Sequence, residues 1–157
     1  MSDEVFEGSC HCGAVRFEVT GTPAWTAICH CSICRRTHSA PYAELCAYDD
    51  VRITSGKNNL SMYNCGGKSK EDRYFCKTCG SKVYSKLNHL GCYAVFLQNF
   101  TKPNHGADGR IDPRFKMGCH IFYGSGTISF YDELEKYETL PTAFGGDGKT
   151  LKNDAHG

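Results

Sequence analysis

The sequence has little net charge, no long apolar run and little helical periodicity. Its 18 basic and 17 acidic residues give a formal charge of +1, so electrostatics offers no case for a nucleic-acid partner. No apolar run approaches the ~18 residues that a membrane-spanning helix needs. The first residues are acidic and lack the apolar segment of a secretion signal. We therefore expect a cytoplasmic protein without a membrane segment and do not expect nucleic acid as its partner.

Short runs of β-branched and aromatic residues stand in place of amphipathic helices, with Gly, Pro, Asn or Asp between them. This pattern is typical of an all-β protein. The predicted strands cover residues 15–20, 25–30, 42–48, 51–55, 60–64, 73–76, 82–86, 93–98, 120–123 and 127–131. Single helical turns are predicted for 32–37 and 132–139. No linker interrupts the chain, so we expect one mainly β domain over residues 1–144 and a flexible, glycine-rich tail over residues 145–157.

Cysteine is the residue type in excess, with 11 in the chain. An odd number without a secretion signal argues against a disulfide scaffold and for metal ligation in a reducing compartment. We expect Cys46, Cys92 and Cys119 to pack as small apolar residues, and Cys65 to be exposed. The other seven lie in three clusters: Cys10 and Cys12; Cys29, Cys31 and Cys34; Cys76 and Cys79.

The spacing of these seven cysteines predicts two tetrahedral zinc sites. Zinc–sulfur bonds near 2.3 Å place sulfurs about 3.7 Å apart, and tight Cys-x-Cys and Cys-x-x-Cys turns supply such pairs. Seven thiolates fill one site of four and one of three. Glycine, which tolerates the positive φ of a zinc knuckle, follows Cys12 and Cys79, whereas Arg35 follows Cys34. The predicted closed, structural zinc site consists of Cys10, Cys12, Cys76 and Cys79.

The middle cluster is predicted to hold the second zinc with one position open, as in a catalytic site. Its ligands would be Cys29, Cys31 and Cys34. Three thiolates make the metal soft and weakly Lewis acidic, so the expected further ligand is the sulfur of a thiol substrate. Arg35 and Arg36 could offset the negative charge of the site or hold a substrate carboxylate, or they could form a solvated face. Arg35 is the first candidate for the anion contact and is predicted to join the three cysteines as a catalytic residue.

Other roles for the same residues remain open at this point. A fourth protein ligand could close the second site and make it structural. The candidates for that ligand are Cys65, His30, His38 and His120. Cys76 and Cys79 could instead form a redox pair, although no βαβ pattern surrounds them. His38 and His120 are also candidates for proton transfer.

The three clusters lie in longer motifs that resemble those of a known family. The motifs are Gly-Ser-Cys-His-Cys-Gly-Ala-Val at 8–15, Cys-His-Cys-Ser-Ile-Cys-Arg-Arg at 29–36 and Phe-Cys-Lys-Thr-Cys-Gly at 75–80. A His-Ile-Phe strand follows at 120–122. In order and spacing, over roughly residues 5–141, they are similar to the glutathione-dependent formaldehyde-activating family, which also includes centromere protein V.

This resemblance implies a mainly β fold of small twisted antiparallel sheets, the β-tent fold, held by the four-cysteine structural zinc. It implies a catalytic zinc at the three-cysteine cluster. The family activity is the making or breaking of a carbon–sulfur bond, described as the condensation of formaldehyde with glutathione. We therefore predict a zinc-dependent carbon–sulfur lyase or synthase that acts on a small thiol or thiol adduct. The alternative is a non-catalytic zinc module that binds a partner, resembling centromere protein V.

Overall fold

The computed structural model describes residues 4–101 and 111–156, which fall into two compact units. The first unit lies within Met1–Trp25 and Cys46–Lys116, and the second within Thr26–Leu45 and Met117–Gly157. The predicted extent of one domain over residues 1–144 stays a prediction.

Strand residues outnumber helical residues along the described chain, which confirms the mainly β class with small twisted sheets. The strands are β1 (Val5–Ser9), β2 (Arg16–Thr20), β3 (Trp25–Cys29), β4 (Ala43–Tyr48), β5 (Arg52–Ser55), β6 (Leu60–Tyr63), β7 (Glu71–Cys76), β8 (Lys82–Leu87), β9 (Cys92–Phe96) and β10 (His120–Ile121). The α-helix, α1, is Ser32–His38. Single 3₁₀ turns are Lys57–Asn59, Cys65–Gly67, Leu97–Asn99, Pro113–Phe115, Tyr123–Ser125 and Thr142–Phe144. Across the described ranges, no helix has the length and apolar character that a membrane crossing requires.

Antiparallel pairing builds the first unit. Strand β2 lies between β1 and β5, and β9, β8, β7 and β6 follow one another in that order. In β8, the buried residues Val83, Ser85 and Leu87 alternate with half-buried ones. This alternation is the two-residue period of a strand that turns one face to a core.

An aromatic cluster forms part of the core of the first unit. The rings of Phe6 and Phe115 meet edge to face with centroids 4.8 Å apart, and those of Phe100 and Phe115 lie 5.1 Å apart. Gly8 in β1 lies against the ring of Phe17. A Cβ at this position would fall 2.0 Å from that ring. The glycine therefore lets the buried phenylalanine lie directly on the β1 backbone.

In the second unit, β10 pairs in parallel with β3 over two residues, an exception to the predicted antiparallel pairing. Ile121 lies opposite Cys29 in this register, and the backbone N–H of His30 donates to the carbonyl of Ile121 at 3.0 Å. Helix α1 follows β3 almost at once, with Cys31 as its N-cap and a left-handed Ser39 (φ 50°) at its C-terminus. The strand end and the helix start thus position the middle cysteine cluster.

Two predictions for the second unit are wrong: residues 127–131 form no strand and residues 132–139 no helical turn. Instead, the carboxylate of Asp132 accepts a hydrogen bond from the N–H of Leu134 at 3.1 Å. The N–H of Tyr137 donates to the carbonyl of His120 at 3.0 Å. Long-range backbone pairing therefore overrides the local preference for a helix.

Residues 145–156, predicted to be a flexible tail, are paired with the backbone of the second unit. Tyr137 forms an antiparallel bridge with Thr150, and the N–H of Leu151 donates to the carbonyl of Lys136 at 2.8 Å. These contacts define where the segment lies, and its mobility stays a prediction.

Gly56 and Gly91 provide a matched test of close packing in the first unit. Both have positive φ, 73° and 69°, but a Cβ at Gly56 would lie 1.9 Å from the carbonyl oxygen of Ala14, whereas no heavy atom lies within 4 Å of one at Gly91. Alanine in the left-handed region costs about 1 kcal/mol at either position.

We expect Gly56→Ala to lower the free energy of unfolding by at least about 2 kcal/mol more than Gly91→Ala does, because only Gly56→Ala must displace backbone. Urea denaturation in zinc-containing buffer measures the difference. Equal losses for the two variants would contradict the close approach of Gly56 to Ala14.

Candidate metal centres

The first unit brings together four cysteine sulfurs from two turns that are distant in the sequence. They belong to Cys10, Cys12, Cys76 and Cys79, and all lie within 4.8 Å of one another. The sulfurs of Cys10 and Cys12 are 3.6 Å apart, and those of Cys12 and Cys76 are 3.8 Å apart. Tetrahedral zinc–thiolate geometry requires about 3.7 Å. The donor set and its spacing therefore fit a closed four-thiolate zinc site.

Each of the two turns depends on a glycine with positive φ, 75° at Gly13 and 74° at Gly80. The N–H of Gly13 donates to the carbonyl of Cys10 at 3.1 Å, and that of Gly80 to the carbonyl of Cys76 at 2.9 Å. Residues with a side chain are strained in this left-handed region. These glycines therefore fold each cysteine pair into a tight knuckle.

Polar side chains contact the sulfurs of this group. The side-chain amide of Asn59 donates to the sulfur of Cys76 at 3.2 Å, and the hydroxyl of Ser81 lies 3.2 Å from the sulfur of Cys79. The hydrogen bond from Ser81 lowers the pKa of Cys79 to about 5. A thiolate is the form that binds metal, so Ser81 favours the metal-binding state. Sequence reasoning missed Asn59, at the end of a 3₁₀ turn, and Ser81, directly before β8, because neither position carries a metal-site pattern.

The second unit brings together the three sulfurs of the middle cluster. Cys29 ends β3, Cys31 caps α1 and Cys34 lies in the first turn of that helix; their sulfurs lie within 4.8 Å of one another. Cys29 and Cys34 are buried, whereas Cys31 is half-buried. A strand that leads straight into a helix therefore gathers three thiols within six residues and leaves one of them partly open to solvent.

Hydrogen bonds among these three sulfurs give the three thiols different pKa values. Hydrogen bonds from the thiols of Cys29 and Cys34, and from the backbone N–H of Cys34, lower the pKa of Cys31 far below its usual value. The hydrogen bond with Cys31 raises the pKa of Cys29, and that with Cys29 raises the pKa of Cys34. Cys31 is therefore the most acidic of the three thiols. A bound cation would replace the remaining protons, because metal ligands must be deprotonated.

No fourth side chain joins the three-cysteine group within residues 4–101 and 111–156. The four residues considered as a closing ligand are absent from it; these are Cys65, His30, His38 and His120. The geometry therefore gives no support to a second closed site. Three thiolates fit a zinc ion that keeps one position for another ligand.

Arg35 is fixed beside the three-cysteine group by two backbone carbonyls. Its Nε donates to the carbonyl of His30 at 3.2 Å and its Nη2 to that of Ser125 at 3.0 Å. Two of the five N–H donors of the side chain are thus bonded to the protein backbone. Arg36 on the same helix is exposed.

A hydrogen-bonded row of polar side chains starts at the buried His30, between two of the clustered cysteines. The Nε2 of His30 and the Nδ1 of His120 are 2.8 Å apart, and the Nε2 of His120 lies 3.0 Å from a carboxylate oxygen of Asp132. The other oxygen of Asp132 accepts from Lys136 at 2.5 Å. Sequence reasoning singled out His120 and missed Asp132 and Lys136, for which the only signal is opposite charges four residues apart.

Burial sets the protonation state of the two histidines. It lowers the pKa of His30 to about 4, with help from the neighbouring His120, and it lowers the pKa of His120 as well. Desolvation disfavours the charged imidazole. Both rings are therefore neutral near pH 7.

The free cysteines outside the two groups lie largely where the sequence places them. Cys46 and Cys92 are buried, Cys119 is half-buried and Cys65 is exposed.

Comparisons with known proteins match these motifs to one family. The family described as glutathione-dependent formaldehyde-activating enzyme matches residues 5–123. A Halomonas elongata protein named "Putative glutathione-dependent formaldehyde-activating enzyme" is 40% identical over 86 residues, which cover 51% of this chain and 55% of that protein. The chain thus spans about half the length of this relative.

Two further proteins are similar over different shares of the chain. An uncharacterized lyase of Schizosaccharomyces pombe is 29% identical over 133 residues, which cover 83% of this chain and 95% of the yeast protein. The crystal structure of a Rhodobacter sphaeroides protein superimposes with a TM-score of 0.52 at 31% identity, over 62% of this chain and 90% of that one.

The two sulfur groups predict different results when a single cysteine is removed. Cys76 is fully buried in the four-cysteine group, where structural zinc contributes roughly 10–16 kcal/mol in zinc-finger peptides. We expect Cys76→Ser to unfold or aggregate, and Cys31→Ser to stay folded while its zinc content falls from two per chain to one.

Elemental analysis of zinc per chain and near-ultraviolet circular dichroism measure both effects. Cys65→Ser is the control, since Cys65 is exposed and belongs to neither group. A folded Cys76→Ser variant with two zinc ions would contradict the assignment.

Proposed function

The chain belongs to the glutathione-dependent formaldehyde-activating enzyme family, and we propose that it is a zinc-dependent carbon–sulfur lyase or synthase for a small thiol or thiol adduct. The observation that carries the proposal is the unequal size of the two sulfur groups, four against three. A four-thiolate site is closed, whereas a three-thiolate site accepts one more ligand. The first zinc would then be structural and the second catalytic.

The three-cysteine group suits the binding of a thiol. Zinc bound by Cys29, Cys31 and Cys34 would supply the positive charge that keeps a substrate thiol ionised near neutral pH. Cys29 and Cys34 are buried, whereas Cys31 is half-buried, so the substrate would approach the group from the side of Cys31. We place this activity in the cytoplasm, where thiols stay reduced.

Arg35 is proposed to hold an anionic group of the thiol. Its two hydrogen bonds to backbone carbonyls fix the guanidinium close to the cysteines. An anchored guanidinium loses less side-chain entropy on binding and can form charge-assisted hydrogen bonds with a carboxylate. A glutathione-type thiol carries such carboxylates.

The bonds that change belong to the substrate. In an S-hydroxyalkyl adduct, the hydroxyl loses its proton, a carbonyl forms, and the electron pair of the carbon–sulfur bond returns to sulfur. In the reverse direction, the thiolate adds to the carbonyl carbon and the alkoxide takes up a proton. The reaction class is therefore reversible addition of a thiol to a carbonyl compound, without net oxidation.

Nuclear magnetic resonance exchange spectroscopy tests the proposal with glutathione and smaller thiols, each mixed with formaldehyde or a larger aldehyde. We expect the two-zinc protein to accelerate exchange for at least one pair. We expect Cys31→Ser to lose about 100-fold or more of this acceleration, and Cys65→Ser to keep it.

Full turnover by Cys31→Ser would contradict the proposal. So would the absence of acceleration for every pair by protein that carries both zinc ions. Salt-sensitive DNA binding by that inactive protein would favour the non-catalytic zinc module.

Arg35→Gln tests the anion contact. Loss of a hydrogen bond to a charged group, about 1.5–3 kcal/mol, predicts a roughly 10- to 100-fold rise in KM for a carboxylate-bearing thiol. A neutral thiol such as 2-mercaptoethanol should show little change, and Arg16→Gln, an exposed arginine in the first unit, should affect neither substrate. Equal KM changes for the charged and the neutral thiol would contradict this role for Arg35.

A further inference from the structure

The proposed function leaves unused a hydrogen-bonded row in the second unit, formed by the buried His30, His120 and Lys136 and the partly exposed Asp132. We infer that Asp132 is a positioning residue, which acts through His120 and His30 to fix the peptide that carries two ligands of the three-cysteine metal site. The inference rests on the proposed metal site. Asp132 and Lys136 lie beyond residues 5–123, the part of the chain that the family matches.

His30 connects this row to the cysteines. Neighbouring side chains of an extended chain point to opposite faces, so the ring of His30 extends away from the sulfurs that flank it. The ring packs among aromatic side chains, with centroid distances of 5.0 Å to Tyr123 and 5.3 Å to Phe130. Its backbone N–H and carbonyl are also bonded, to Ile121 and Arg35. The peptide between the two cysteines is therefore held by its backbone and by its ring.

The direction of the hydrogen bonds in this row is set by Asp132. A carboxylate paired with an ammonium group accepts hydrogen bonds, so the Nε2 of His120 donates to Asp132. A neutral imidazole that donates from one nitrogen accepts at the other, so the Nδ1 of His120 accepts from the Nε2 of His30. The tautomers of both rings thus follow from the carboxylate.

A single hydrogen bond orients the ring of His30. Its Nδ1 is buried and has no hydrogen-bond partner in the part of the chain that the structure describes. The bond to His120 therefore decides the angle of the ring within its aromatic surroundings. Without the bond to His120, no hydrogen bond would fix the angle of the ring, and the ring could rotate.

Lys136 anchors the far end of the row. Its ammonium group donates to the carboxylate of Asp132, to the carbonyl of Asp132 at 3.2 Å and to that of Leu134 at 2.8 Å. The residue is 2% exposed, so these acceptors replace water around a buried charge. The ion pair holds the carboxylate in place for His120.

The test uses Co²⁺-substituted protein, because cobalt–thiolate absorption follows the metal at each site and the four-cysteine site serves as an internal reference. Outer-shell partners typically contribute 10- to 100-fold to metal affinity. We expect Asp132→Asn and His120→Gln to release Co²⁺ from the three-cysteine site to a chelator at least 10-fold faster than the unsubstituted protein. Release from the four-cysteine site should not change.

Asp132→Glu keeps a carboxylate and should restore slow release in part. His120→Gln keeps the Asp132–Lys136 ion pair, so it separates loss of the ring contact from loss of the ion pair. Asp112→Asn is the matched control, since Asp112 is a carboxylate paired with Arg114 in the first unit. This control should release both metals as the unsubstituted protein does.

The inference is overturned if Asp132→Asn and His120→Gln release both metals at the unsubstituted rate, or lose both to the same extent. Its failure is distinct from failure of the proposed function. Unsubstituted protein that binds two Co²⁺ ions but shows no thiol turnover in its zinc form would contradict only the function. Active protein with unaltered release in both variants would contradict only the role of Asp132.

Discussion

Repulsion between closely spaced thiolates is the constraint on which both units depend. Sulfurs 3.6 to 3.8 Å apart cannot all carry a negative charge unless a cation lies among them. In the three-cysteine group, hydrogen bonds among the thiols raise the pKa values of Cys29 and Cys34 and lower that of Cys31. A metal ion bound in each group would relieve the repulsion, and its binding free energy would then become part of the folding free energy.

The two groups meet this constraint with different backbones. In the first unit, two glycine knuckles from distant parts of the chain converge, so that site ties β7 to the segment after β1. In the second unit, three sulfurs come from one continuous stretch where β3 ends and α1 begins. A site that joins distant segments suits a structural role. A site on one short stretch needs support from its surroundings. The hydrogen bonds of His30 and Arg35 provide this support.

The sequence predicts features that depend on near neighbours. The cysteine spacings and the glycines after Cys12 and Cys79 are local, and the structure places both glycines at positive φ. The contact of His30 with His120 spans 90 residues, and no local pattern encodes it. The predicted helical turn over residues 132–139 fails for the same reason, since Asp132 and Tyr137 form long-range contacts with His120 instead.

X-ray absorption at the zinc edge tests the central claim, which is that the chain has one closed four-sulfur site and one three-sulfur site that receives a thiol. In protein with two zinc ions, the account predicts about 3.5 sulfur neighbours per zinc, rising to about 4 when the substrate thiol is added. Four sulfurs per zinc before the thiol is added, or a number that the thiol leaves at about 3.5, would contradict it.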